Sequence, residues 1–96
     1  MSAIFGEVLN FSQENGSEVR LRVYGDEFYA RHETEDGYTV IYDERLGKFT
    51  YALLKGGRFV SSGVDVSQRP PPGLEKHIEE SNEVRLSKAE KRFSRR

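Results

Sequence analysis

Turn chemistry recurs about every ten residues through residues 1–68, which leaves room for short strands and none for the helical crossover that a parallel sheet needs. Asn15-Gly16, Gly25-Asp26-Glu27, Glu35-Asp36-Gly37, the stretch Asp43 to Gly47, and Lys55-Gly56-Gly57 supply the breaks in turn. Asn-Gly is favoured in tight hairpins, where both turn residues need positive φ. Asp and Asn bond the backbone two residues on, and Gly takes the positive φ that other residues resist.

Between the breaks lie segments with strand character. Residues 7–11 give a first strand. Residues 18–24 alternate cleanly, with Val19, Leu21 and Val23 on one face and Arg20 and Arg22 on the other. That alternation is the mark of a strand with one face buried and one wet. Residues 28–34, 38–42, 48–54 and 58–61 continue the series, rich in β-branched and aromatic side chains. The expected fold is mainly β: a small antiparallel meander, curled sheet or barrel-like body with a short C-terminal helical segment.

The only prolines, Pro70, Pro71 and Pro72, divide the chain. Three in a row favour a stiff polyproline II segment and cannot continue a central strand. The expected organisation is therefore a β-rich body over 1–68, a proline-rich linker over 69–73, and a helical, basic tail over 74–96. Charge divides at the same place. The body holds 7 basic and 11 acidic residues, net −4, and the remainder 8 basic and 5 acidic, net +3. In the tail, Leu74, His77 and Ile78 would share one face of a short helix. Helix is also expected from Asn82 onward, with Leu86, Ala89 and Phe93 on one stripe. Ser87 with Glu90 three residues later fits a capping box that would start this helix as late as Lys88. So short and basic a helix is marginal alone, and a frayed end is expected.

Several function classes find no support in the residues. There is no cysteine, so disulfides, thiolate zinc sites and thiol nucleophiles are impossible. His32 and His77 are the only histidines and no His-Glu-x-x-His occurs, so no metal site and no catalytic residue is assigned. No Ser sits in a nucleophile elbow, and no glycine-rich loop has phosphate-binding spacing. The expectation is a non-enzymatic chain with no cofactor. An acidic body and a sequence pI near 6.1 argue against nucleic acid as partner. No apolar stretch approaches the ~20 residues that span a bilayer, which argues against a membrane partner. Met1 to Val8 hold no basic region followed by an apolar run, so no secretory signal is read in this chain.

One segment has a more particular character. Tyr24-Gly25-Asp26-Glu27-Phe28-Tyr29, then Glu33-Thr34, then Asp36-Gly37-Tyr38-Thr39-Val40 resembles the N-terminal module that precedes the catalytic domain in secreted zinc metalloproteases of the immune inhibitor A type. The polar turn around Gln13 to Gly16, the Tyr51-Ala52 strand and the run from Pro70 to His77 resemble the flanking parts of that module, so the likeness spans residues 6–85. It implies a non-catalytic, prodomain-like domain that assists folding of the protease, inhibits it or spaces it. The implied partner is a protease catalytic domain, in cis or in trans, and the implied location is outside the cell as part of a longer precursor. The alternative is a stand-alone binding module or trans-acting protease inhibitor. Gly25, Asp26, Glu27, Phe28, Tyr29, Glu33, Thr34, Asp36, Gly37 and Tyr38 are the candidate interaction residues, although glycine and aromatic anchors equally serve architecture. Arg92, Arg95 and Arg96 would suit cleavage by a trypsin-like activator.

Overall fold

The computed structural model describes residues 3–94, with side chains through residue 92. Six strands run antiparallel in chain order: β1 (Ile4–Gln13), β2 (Gly16–Gly25), β3 (Ala30–Glu33), β4 (Thr39–Asp43), β5 (Lys48–Lys55) and β6 (Arg58–Asp65). The protein is mainly β, as the turn spacing predicts. Among the forms that spacing allowed, the open meander is the one adopted: β1 and β6 are opposite edges, not partners. One helix, α1 (Asn82–Ser94), follows; it is too short and polar to cross a membrane.

The alternation in β2 sets the register of the whole sheet. Val23 pairs with His32, His32 with Val40, and Val40 with Tyr51, so these side chains share one face. The core forms there from Leu21, Val40, Phe49 and Tyr51, with Phe11 and Tyr42 packed alongside. Phe49 takes the edges of two neighbours, Tyr42 at 5.1 Å and Phe11 at 5.7 Å between ring centroids. The opposite face carries Arg31, Glu33, Thr39, Thr50 and Ala52.

That opposite face is not uniformly wet. Phe49, Thr50, Tyr51 and Ala52 are buried in succession, so β5 is covered on both sides. The cover comes from the residues after β6. On the first face, Val66 N–H donates to the Phe49 carbonyl, Tyr51 Oη donates to the Gln68 carbonyl at 2.7 Å, and Leu74 packs on the core. The chain then passes to the second face. His77 N–H donates to the Gly37 carbonyl at 2.8 Å, Thr39 Oγ1 to the Ile78 carbonyl at 2.9 Å, and Ser81 N–H to the Gly57 carbonyl at 2.9 Å.

These bonds replace the short helix expected through Leu74, His77 and Ile78. Backbone groups that a helix would satisfy internally are used against the sheet, and His77 adopts a left-handed φ of +58°. α1 also begins earlier than Lys88. Ser81, not Ser87, is its N-cap: the Ser81 Oγ accepts from Val84 N–H at 3.3 Å. The buried residue of α1 is Val84, whereas Leu86 of the expected apolar stripe is 65% exposed. Glu83 in the first turn and Lys91 and Arg92 in the last complement the helix dipole. The Phe93 side chain, Arg95 and Arg96 lie outside the described residues.

Two further differences from expectation have local causes. The first hairpin forms, but Gln13 pairs with Gly16, so Glu14-Asn15 is the tip and Asn15-Gly16 is not. Asn15 is held from outside, its N–H donating to the Gly47 carbonyl at 3.0 Å and its Nδ2 to the Leu46 carbonyl at 2.9 Å. Residues 28 and 29, expected in the third strand, belong instead to a corner. Gly25 opens that corner with a φ of +137°, and a Cβ on it would stand 2.2 Å from the Tyr29 carbonyl oxygen. Gly25→Val is therefore expected to cost at least about 1–3 kcal/mol in urea unfolding; an unchanged midpoint would refute this account of the corner.

Candidate functional site

The candidate residues fall into the two turns that flank β3, one at each of its ends. In the corner between β2 and β3, Asp26 Oδ1 accepts from the N–H groups of Phe28 at 2.9 Å and Tyr29 at 3.1 Å. Asp26 N–H donates to the Tyr29 carbonyl at 2.9 Å, closing the turn. Glu27 is exposed at its tip. In the turn between β3 and β4, Thr34 N–H donates to the Tyr38 carbonyl at 2.8 Å, the Thr34 carbonyl accepts from Gly37 N–H at 2.9 Å, and Thr34 Oγ1 accepts from Tyr38 N–H at 3.1 Å. Asp36 is exposed, and Tyr38 meets Tyr51 edge-on at 6.0 Å. Gly37 carries a φ of +99°, and a Cβ on it would come 2.9 Å from the His77 ring. The close seat of His77 on this turn requires glycine.

Both turns hold the segment that follows β6 by hydrogen bonds, and ion pairs from β3 and α1 reinforce them. Glu33 is fully buried. A buried carboxylate is tolerated only when paired and hydrogen-bonded. Arg31, two residues back on the same strand and face, lies 3.0 Å from Glu33 Oε2, and His77 Nδ1 lies 2.9 Å from Oε1. Arg31 also stacks on the Tyr24 ring at 4.9 Å and reaches Glu79 at 3.2 Å. Glu79 in turn meets Arg85, whose second contact is Asn82.

Glu80 is the second buried carboxylate, 2% exposed. Its Oε1 accepts from Tyr29 Oη at 2.7 Å, its Oε2 from Phe59 N–H at 2.7 Å, and Lys88 Nζ bonds both oxygens at 2.9 and 2.8 Å. Burial alone would push its carboxyl up. The bonds from Lys88, Phe59 and Tyr29 offset that and hold it below the usual carboxylate range. Burial and the bond to Glu80 push the Tyr29 hydroxyl well above the ordinary phenol range, which keeps it a donor. His32 has a different role: it packs edge-on against Phe11 at 5.2 Å on the first face, and burial lowers its pKa.

The structure thus brings together Tyr29 with Glu80, and Glu33 and Gly37 with His77. Asp26, Thr34 and Tyr38 shape the two turns, while Glu27 and Asp36 take no part in these contacts. Glu80 and Lys88 are anchoring positions that sequence reasoning missed, because Glu79-Glu80 before a basic helix reads as solvated surface. Among the described residues no three His, Asp or Glu side chains converge to hold a metal ion.

α1 crosses Phe28 and Tyr29 and leaves an open groove on each flank. The larger, about 770 Å³, lies between the Gly25–Tyr29 corner and Arg85, Leu86 and Ala89 of the helix. The other, about 350 Å³, is lined by Ile41 and Phe59 of the sheet and by Lys88, Lys91 and Arg92. No protein-family model, curated protein or solved structure matches the chain.

Two outcomes are expected from these contacts. Glu80→Gln should destabilise the fold by about 1.5–3 kcal/mol in urea, because Lys88 and the Phe59 amide lose a charged acceptor. An unchanged stability would mean that Glu80 does not anchor the segment. The second concerns pH. The unfolded chain protonates His32 near pH 6.5 and the native state only at lower pH, so burial of His32 weakens the fold as pH falls through about 6.5. In His32→Phe the loss of Tm between pH 7.5 and 5.5 should be smaller than in the native sequence; an equal loss would contradict the assignment.

Proposed function

We propose that the chain is a non-catalytic, prodomain-like module of a secreted zinc metalloprotease of the immune inhibitor A type, packing on the catalytic domain as folding aid, inhibitor or spacer. The observation that supports this is the meeting of two separated parts of the sequence resemblance. Residues 24–40 and the run ending in His77 are distant in the chain, yet Glu33 and Gly37 of the first contact His77 of the second. The likeness therefore follows one physical unit: two turns and the segment they hold. Function is carried by what this unit presents and not by any catalytic group. Arg92, exposed on α1, is the described member of the arginine cluster where a trypsin-like activator would cut.

One observation favours the second reading, a stand-alone binding module or trans-acting inhibitor. The segment after Gln68 is bonded to both faces of the sheet, as suits a self-sufficient unit better than a loose linker. The two readings differ in the size of the native product. An antibody against residues 1–68 should detect, in source cells, a band several times 11.0 kDa that shrinks on secretion. A cellular band at 11 kDa would overturn the precursor reading and leave the stand-alone one.

A further inference from the structure

The smaller groove beside α1 has a chemistry that neither turn explains. Its floor includes Ile41 of β4 and Phe59 of β6, both half-buried, and its helical wall is Lys88, Lys91 and Arg92. Lys88 is neutralised by Glu80 beneath it. Lys91 and Arg92 are exposed, and among the described residues neither has a hydrogen-bonded or ion-paired acid. The groove therefore joins an apolar floor to two uncompensated positive charges. Such a surface attracts a carboxylate and desolvates a large apolar side chain next to it.

We propose that this groove receives an acidic–apolar segment of a partner protein, with a Leu- or Phe-like side chain on Ile41 and Phe59 and an adjacent Asp or Glu on Lys91 and Arg92. Charge selects this occupant over the alternatives. A polyanion such as nucleic acid would set a row of phosphates against a body of net −4, whereas one carboxylate needs only Lys91 and Arg92. A flat anionic membrane cannot reach a recessed floor. The inference reaches beyond the precursor reading, because it fixes the chemistry of the bound segment whether that segment lies in cis or in another protein.

The test begins with a displayed library of random dodecapeptides panned on the full chain, followed by fluorescence anisotropy of the enriched peptides. Enriched sequences should combine Asp or Glu with a large apolar residue. Their Kd should rise at least tenfold with the double substitution Lys91→Glu/Arg92→Glu, and should also rise with salt. Both positions are exposed, and an unchanged melting curve will confirm that the variant is folded. An Ile41→Ser variant supplies a second readout on the floor, with weaker binding expected at retained fold. Absence of enrichment, neutral or basic consensus sequences, or affinity indifferent to Lys91 and Arg92 would overturn the proposal. So would tighter binding, through those residues, of a single-stranded oligonucleotide, of vesicles containing phosphatidylglycerol, or of a second copy of the chain in sedimentation velocity. None of these outcomes depends on the size of the native product, so this proposal and the precursor reading fail separately.

Discussion

Two carboxylates buried on one face of a β-sheet govern the arrangement of residues 77–88. Neither Glu33 nor Glu80 has water to solvate it, and an isolated charge in that position would be prohibitive. Glu33 meets the Arg31 guanidinium on its own strand and is hydrogen-bonded by His77, which stands 44 residues away. Glu80 brings its charge to the sheet from the opposite direction and is met by Tyr29, the Phe59 amide and Lys88. Residues 77–88 are thereby fixed at both ends of a short path, and the start of α1 follows from where Ser81 is held. Buried ion pairs of this kind add little net stability compared with well-packed apolar groups, but they discriminate strongly against alternative arrangements that leave one partner alone.

Seen this way, the segment from Gly25 to Tyr38 is a pair of sockets. Gly25 and Asp26 build a corner that points the Tyr29 hydroxyl inward. Gly37 leaves the gap that the His77 ring fills, and its carbonyl takes the His77 amide. Residues that look in the sequence like a recognition motif recognise, first of all, another part of the same chain. Two of the grooves open to another molecule flank α1, and both are lined by the corner and by the helix it positions.

The sheet was legible because its signals are local. Alternation in β2 fixes a face, paired turn residues fix the breaks, and register carries that face from Val23 across to Tyr51. Gly25, Asp26 and Gly37 were read correctly as turn chemistry for the same reason. The helix from Asn82 was legible in its spacing, but the segment 74–81 was not, because its structure depends on partners far away in sequence. His77 and Ile78 have helical spacing, but the Gly37 carbonyl and the Thr39 hydroxyl compete successfully for the backbone there. Ser87 and Glu90 match a capping box that Ser81 pre-empts, since Ser81 is already tethered to Gly57. Glu79 and Glu80 are adjacent and alike, and only the position of Tyr29 makes one of them an anchor. The residues on which the resemblance to a protease leader rests are far apart in the chain, and nothing in their spacing shows that Glu33 and Gly37 meet His77.

The order of the chain gives the buried pairs a consequence in time. Tyr29 and Glu33 leave the ribosome about 50 residues before Glu80 and His77, and translation proceeds at roughly 5–20 residues per second. The six strands are complete only at Asp65, 12 residues before His77 and 15 before Glu80, so for roughly 1–3 seconds they exist with one face uncovered and Glu33 without its His77 bond. The meander can form its hairpins in that interval, but it cannot reach its final state until the last turn of contacts arrives. Closure of this sheet waits on residues 77–88, and any molecule that competes for the open face has that interval in which to act.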